Sequence, residues 1–150
     1  MFCSVAHIGL TVRDLDRSVA FYRDILGLHY QGEMKMGGPE TAALFQQPVC
    51  SARVAYLRPD DTKAPPVELI QFLDHQIQED TPSLFKTSIS ELCFATEDID
   101  KEYARLKELG VEFLSEPQTF DSTQYGFGKS RAVYFLDPDR NVLELIQPVE

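Results

Sequence analysis

The chain is poor in cysteine: Cys3, Cys50 and Cys93 are the only three, and no two form a C-x-x-C pair. An odd, scattered set argues against a disulfide framework and suits a reducing compartment. Each cysteine has apolar sequence neighbours and reads as a small buried hydrophobe. Also lacking are an apolar run long enough to span a bilayer and an N-terminal charged-then-apolar signal pattern. Cations are the minority, 14 Lys and Arg against 24 Asp and Glu, for a formal net charge of −10 and a pI of about 4.7. Such a surface repels phosphates and anionic headgroups, so nucleic acid and membranes are disfavoured as partners. These absences together predict a cytoplasmic protein.

What is present is ordinary for a globular chain: 43% hydrophobic and 25% charged over 150 residues, enough for one domain or two small modules sharing a core. Val5 to Val12 alternates as a strand, with Ala6, Ile8, Leu10 and Val12 on one face. Asp14 and Asp16 supply capping side chains for a helix over Leu15 to Leu26, whose inward stripe is Val19, Tyr22 and Leu26, reinforced by Phe21 and Ile25. Gly27 closes it as a left-handed cap. Strands follow at Leu28 to Met34, Arg53 to Leu57 and Val67 to Phe72, and a polar stretch at 74–87 serves as linker.

The second half repeats the first. Ile89 to Phe94 is a strand, Asp98 caps a helix over Ile99 to Leu109 with Tyr103, Leu106 and Leu109 inward, and Gly110 ends it. Strands follow at Val111 to Leu114, Ala132 to Leu136 and Val142 to Ile146, the last two joined by Asp137-Pro138-Asp139. Val5 to Asp16 set against Ile89 to Asp100 keeps a constant offset of 84, and the final strands align at an offset of 76. The first half carries a longer excursion around Met36 to Cys50. A βαβββ unit alone has little apolar area, and two can share a core. The chain therefore reads as one α+β domain of two tandem βαβββ modules, 1–73 and 88–150, forming a curved mixed sheet around a metal cleft with helices outside.

His7, Glu68, Glu91 and Glu144 stand on strands among apolar neighbours, so both faces of those strands are expected to be covered. A single strand glutamate is ordinarily a solvated edge residue. Here, however, His7 and Glu91 are repeat equivalents, as are Glu68 and Glu144, and a buried carboxylate needs a partner. A pseudo-twofold relation would bring all four to one point, where a divalent cation would balance them.

Two segments carry a family resemblance. One is His7-Ile8-Gly9-Leu10-Thr11-Val12 with Asp14 through Gly27, and the other is Phe135 through Leu145. The chain resembles, over essentially its whole length, the vicinal-oxygen-chelate superfamily of glyoxalase I, methylmalonyl-CoA epimerase, extradiol dioxygenases, and the fosfomycin and bleomycin resistance proteins. The resemblance implies metal ligands at His7, Glu68, Glu91 and Glu144, and a homodimer. It departs from the family at Glu91, where His is usual, and at Arg140, which replaces a turn glycine and should alter only the hairpin. The first departure leaves Glu91 as either ligand or base, and weakens a ring-cleaving dioxygenase reading. The metal is Mn, Co, Ni, Zn, Mg or Fe, which the residues do not rank.

The reading that follows is a metal-dependent lyase or isomerase, glyoxalase-like or epimerase-like, in which the cation chelates two neighbouring substrate oxygens as a Lewis acid. Glu144 moves the proton beside the carbonyl, and Glu91 or Glu68 is the opposing base. Weaker substrate contacts are Arg53, Tyr125, Phe127, Lys129 and Arg131. Tyr125 to Ser130 is a glycine-rich aromatic loop able to close over a ligand, without Walker spacing. The alternatives are a non-catalytic antibiotic-binding protein and a dioxygenase.

Overall fold

The structure, a computed structural model, describes residues 3–78 and 83–149. The chain divides into two units, Met1–Glu79 and Asp80–Glu150, and the division falls within the stretch read as the linker. Positions 79–82 of that linker, and the first two and last residues of the chain, lie outside the described residues.

In the first unit β1 (Ile8–Thr11) leads into α1 (Leu15–Ala20), then β2 (His29–Met36), α2 (Pro39–Leu44), β3 (Ala52–Arg58) and β4 (Val67–Phe72). The strands lie in the order β1-β4-β3-β2, with β1 parallel to β4 and the other pairs antiparallel. The second unit runs β5 (Leu92–Ala95), α3 (Ile99–Glu108), β6 (Gln118–Asp121), β7 (Lys129–Leu136) and β8 (Val142–Val149). Its order is β5-β8-β7-β6, again with one parallel pair, β5 with β8. Each unit is thus a four-stranded mixed sheet of one βαβββ-like module, and neither sheet closes.

The two modules enter their helices in the same way. Asp14 Oδ1 accepts the Arg17 N–H, and Asp98 Oδ1 accepts the Lys101 N–H, each at 3.0 Å. Gln71 accepts the Leu15 N–H at 3.1 Å and donates to the Arg13 carbonyl at 3.1 Å. Gln147 accepts the Ile99 N–H at 3.1 Å and donates to the Glu97 carbonyl at 2.7 Å. A glutamine on the last strand therefore clamps the helix start in both halves. Gly27 and Gly110 both sit at positive φ, +80° and +81°, as their capping role requires.

Several expectations need correction. The first helix is shorter than expected: after Ala20 it widens into a π-turn over Phe21–Ile25, in which the Leu26 N–H reaches the Phe21 carbonyl at 3.0 Å. Its buried side chains are Leu15, Ser18, Phe21 and Tyr22, while Val19, Ile25 and Leu26 are only half-buried. Leu109 is exposed, because α3 ends one residue before it, and Ile99 and Leu106 carry that helix's burial. Val111 to Leu114 pairs with β7 only through Phe113 and Phe135, and the edge strand forms later, at β6. Part of the Met36 to Cys50 excursion folds as α2, with Pro39 at its first turn.

Each unit has buried apolar side chains of its own. In the first, Val12, Leu15, Tyr22, Val54, Leu57 and Leu69 are fully buried, with α1 against β3 and β4. In the second, Ile99, Leu106, Phe135 and Leu143 are buried, with α3 against β8. Each such side chain contributes about 1.5–3 kcal/mol on leaving water. His7, Gly9 and Thr11 are exposed, and so are Cys93 and Ala95, so covering on both faces does not hold for β1 and β5.

Candidate functional site

Register determines what meets Glu68. In the parallel β1–β4 pair Gly9 lies beside Glu68, and in the antiparallel β3–β4 pair Tyr56 lies on its other side. His7, two residues before Gly9, shares the same face. The Glu68 carboxylate is buried, and its two oxygens are used differently. The Tyr56 hydroxyl donates to Oε1 at 2.5 Å, while Oε2 faces His7 Nε2 at 3.3 Å. The Tyr56 hydroxyl is pushed up to about 12, first by its bond to Glu68 and then by burial, so it remains a donor. The His7 ring stands edge-on to Tyr56, with centroids 6.0 Å apart. A methyl group at Gly9 would come within 3.2 Å of Glu68 Oε2, so the bare backbone there keeps that oxygen accessible.

The second unit repeats this arrangement with other side chains. Cys93 lies beside Glu144 in register, and Tyr134 flanks Glu144 from β7. Glu91 precedes Cys93 by two. Position by position, His7 and Gly9 correspond to Glu91 and Cys93 at an offset of 84, Tyr56 to Tyr134 at 78, and Glu68 to Glu144 at 76. The Cys93 thiol is pushed up to about 12 by partial desolvation, by its hydrogen bond to Glu144, and by the charges of Glu144 and Glu91. Desolvation and the same charges raise the Tyr134 hydroxyl.

Tyr56, Tyr134 and Cys93 were not among the residues singled out in sequence. The signal was there for the tyrosines, which recur at a constant offset opposite the two glutamates. Cys3 and Cys93 are exposed and only Cys50 is buried, which corrects the expectation that all three are buried hydrophobes.

The weaker substrate candidates lie elsewhere on the sheets. Arg53 donates to Glu33 at 2.7 Å and to Asp16 at 2.8 Å, and its guanidinium holds both carboxyls below their usual range. Arg131 donates to Asp100 at 2.8 Å, with the same effect on that carboxyl. Asp16 and Asp100 are repeat equivalents, so this ion pair is copied between modules. Tyr125 and Phe127 are exposed on the β6–β7 hairpin, and Lys129 Nζ lies 3.7 Å from Asp121. Arg140 adopts φ +67°, the left-handed turn conformation a glycine would supply, and its side chain reaches Glu112 at 3.2 Å.

As a cation site, the His7–Glu68 pair is well matched. Ligands bonded at about 2.1 Å stand about 3.0–3.4 Å apart on a tetrahedral or octahedral shell, and Oε2 and Nε2 are 3.3 Å apart. The Tyr56 bond to Oε1 is the kind of outer contact that orients a ligating carboxylate.

Comparison with known proteins bears on the same conclusion. The glyoxalase/bleomycin resistance protein/dioxygenase superfamily matches residues 4–145. YraH of Bacillus subtilis (strain 168), an uncharacterized protein, is 31% identical over 145 residues, 92% of this chain and 93% of its own. The fosfomycin resistance protein FosX of Listeria monocytogenes is 24% identical over 148 residues, 97% of this chain and 90% of its own. Among solved structures, a glyoxalase family protein from Bacillus cereus superposes with a TM-score of 0.82 at 20% identity, covering 100% of this chain and 97% of its own. FosX gives 0.62 at 18% identity, covering 99% and 96%. With the repeated βαβββ modules and a family match across nearly the whole sequence, the chain belongs to the glyoxalase/bleomycin resistance protein/dioxygenase superfamily, the vicinal-oxygen-chelate fold.

Proposed function

We propose that this protein is a divalent-metal-dependent enzyme, a lyase or isomerase, that moves a proton beside a carbonyl of a small substrate. The observation that carries the reading is Glu68: a buried carboxylate with one oxygen held by Tyr56 and the other directed at His7. Proposed ligands are His7, Glu68, Glu91 and Glu144, with the last two assigned by their repeat equivalence to the first. Whether the second pair comes from the same chain or from the partner in a homodimer, the assignment by residue is the same. The full-length likeness to a fosfomycin resistance protein supports a small-molecule substrate.

When bound, a divalent cation supplies Lewis-acid polarisation of the substrate carbonyl. The chain's own groups do the rest. Tyr56 orients Glu68 by donating to its Oε1. Glu144 accepts the proton, its carboxylate steadied by the Cys93 thiol, and Glu91 serves as ligand or opposing base. The acidic set at Glu91 and Glu144 suits a hard cation better than a two-histidine iron site does.

The test is solvent exchange. Protein stripped with chelator and reloaded with Mn(II) is incubated in deuterated buffer with hemithioacetals, 2-hydroxy ketones and acyl thioesters. Wild type incorporates deuterium beside the carbonyl, Glu144→Gln loses at least about 100-fold of that rate, and Tyr56→Phe weakens Mn(II) binding by about 10–100-fold with the fold intact. Exchange undiminished in Glu144→Gln removes that residue from the reaction. Mn(II) binding equal in wild type and Glu68→Gln overturns the metal assignment.

A further inference from the structure

Outside that site, the first unit gathers a second set of metal-ligating side chains. The register Ala52 with Phe72 brings the residues just before β3 against those just after β4, and the Leu73 N–H closes the pair onto the Ser51 carbonyl at 3.0 Å. Here one ligand-type atom each from Cys50, Asp74 and His75 lies within 4.8 Å of the others. A cavity of about 200 Å³ opens beside them, lined by Phe45, Gln47, Cys50, Phe72, His75 and Ile77.

We infer that Cys50, Asp74 and His75 form a second metal site, one that takes Zn(II) and leaves a coordination position facing this cavity. Three features support it. The set combines sulfur, imidazole and carboxylate, which favours zinc over magnesium or calcium, whose sites are built of oxygen. Bonds of about 2.0–2.3 Å place tetrahedral ligands about 3.5 Å apart, a spacing inside the 4.8 Å that holds the three ligand atoms. The supporting groups are in place as well. The Ser51 hydroxyl donates to Asp74 Oδ2 at 3.1 Å and His75 Nδ1 meets Asp74 Oδ1 at 2.8 Å, contacts that orient carboxylate and ring, and zinc at Nε2 would take the place of the 3.3 Å contact from that nitrogen to Gln47 Oε1. Phe72 packs edge-on against both Phe45 and the His75 ring.

A thiol–imidazole nucleophile is the less suitable reading of the same residues. Both ring nitrogens of His75 have oxygen partners, Asp74 Oδ1 at 2.8 Å and Gln47 Oε1 at 3.3 Å, whereas a thiol nucleophile needs one of them as its base. The site is also no copy of the repeated one. Carrying Cys50 along the β3–β7 correspondence, at the same offset of 78 that relates Arg53 to Arg131, lands on Gly128. The cluster stands apart from His7 and Glu68 in its residues, and the inference does not rest on their role.

Cobalt tests it directly. Full-length protein freed of metal is titrated with Co(II), whose bond to a thiolate gives a near-ultraviolet charge-transfer band, and separately with Zn(II) by calorimetry. The expected result is a band in wild type that persists in Cys93→Ser and Glu68→Gln and is lost in Cys50→Ser. Zinc uptake should fall by one equivalent in both Cys50→Ser and His75→Ala. His75 is half-exposed, so its variant keeps the result interpretable if the Cys50 variant misfolds. No band in wild type, a band that follows Cys93 and not Cys50, or zinc uptake unchanged in His75→Ala overturns the inference.

Discussion

At the scale of the residue, a side chain's chemistry here is set by its cross-strand neighbour. Cys93 is exposed, yet its thiol is raised to about 12, first by partial desolvation and then by its hydrogen bond to Glu144 and the charges of Glu144 and Glu91. A group whose folded value lies above its unfolded one keeps its proton until the pH climbs through the folded value. At pH 8 Cys93 therefore stays a thiol, and thiolate is the nucleophile. The expected outcome is that a disulfide reagent at pH 8 modifies the exposed Cys3 well before Cys93, read by peptide mass mapping. Glu144→Gln, which removes a neighbouring charge, speeds modification at Cys93. Equal rates at both cysteines in wild type would contradict the contact. Tyr56 follows the same sign: the stability its bond to Glu68 contributes is full below about pH 10, and the bond itself is lost as pH rises through about 12.

At the scale of the element, the helix entrances were legible and the helix ends less so. Asp14, Asp16 and Asp98 were read as caps from residue type; Asp14 and Asp98 cap, while Asp16 lies inside the first turn and accepts from Arg53 instead. The Gln71 and Gln147 clamps were not foreseen, because each joins residues more than 45 positions apart in the chain. Removing a clamp leaves the Ile99 N–H and the Glu97 carbonyl without that partner, a loss of about 1–3 kcal/mol for two hydrogen bonds at about 0.5–1.5 kcal/mol each. Gln147→Ala is expected to lower stability by about that amount in urea unfolding, at least as much as the roughly 1 kcal/mol for Asp98→Ala. A midpoint unchanged from wild type would show the clamp to be incidental. The π-turn after Ala20 escaped a 3.6-residue periodicity for a related reason: Phe21 and Tyr22 are buried as expected, while past the one-residue widening Ile25 and Leu26 are only half-buried.

At the scale of the whole molecule, each half has its own sheet, helix and core, and the segment between carries no helix or strand among its described residues. Phe85 in that segment is 98% exposed, the most open large hydrophobic side chain described. Brief chymotrypsin treatment is expected to cut first after Phe85, leaving fragments 1–85 and 86–150 by mass spectrometry. First cuts inside β3 or β8 would contradict the division. Among the described residues no helix is long and apolar enough to cross a membrane.

The sequence by itself determined the duplicated βαβββ order, the paired glycine caps and the recurrence of Glu68 and Glu144, because all of these are periodic along the chain and a repeat can be aligned with itself. Only the tertiary structure decided that Tyr56 binds Glu68, that Cys93 stands beside Glu144, that Arg53 and Arg131 answer to Asp16 and Asp100, and that Cys50 meets Asp74 and His75. These are contacts across strands, and their identity depends on register. A shift of one residue turns each side chain to the opposite face, and composition carries no record of which register was chosen.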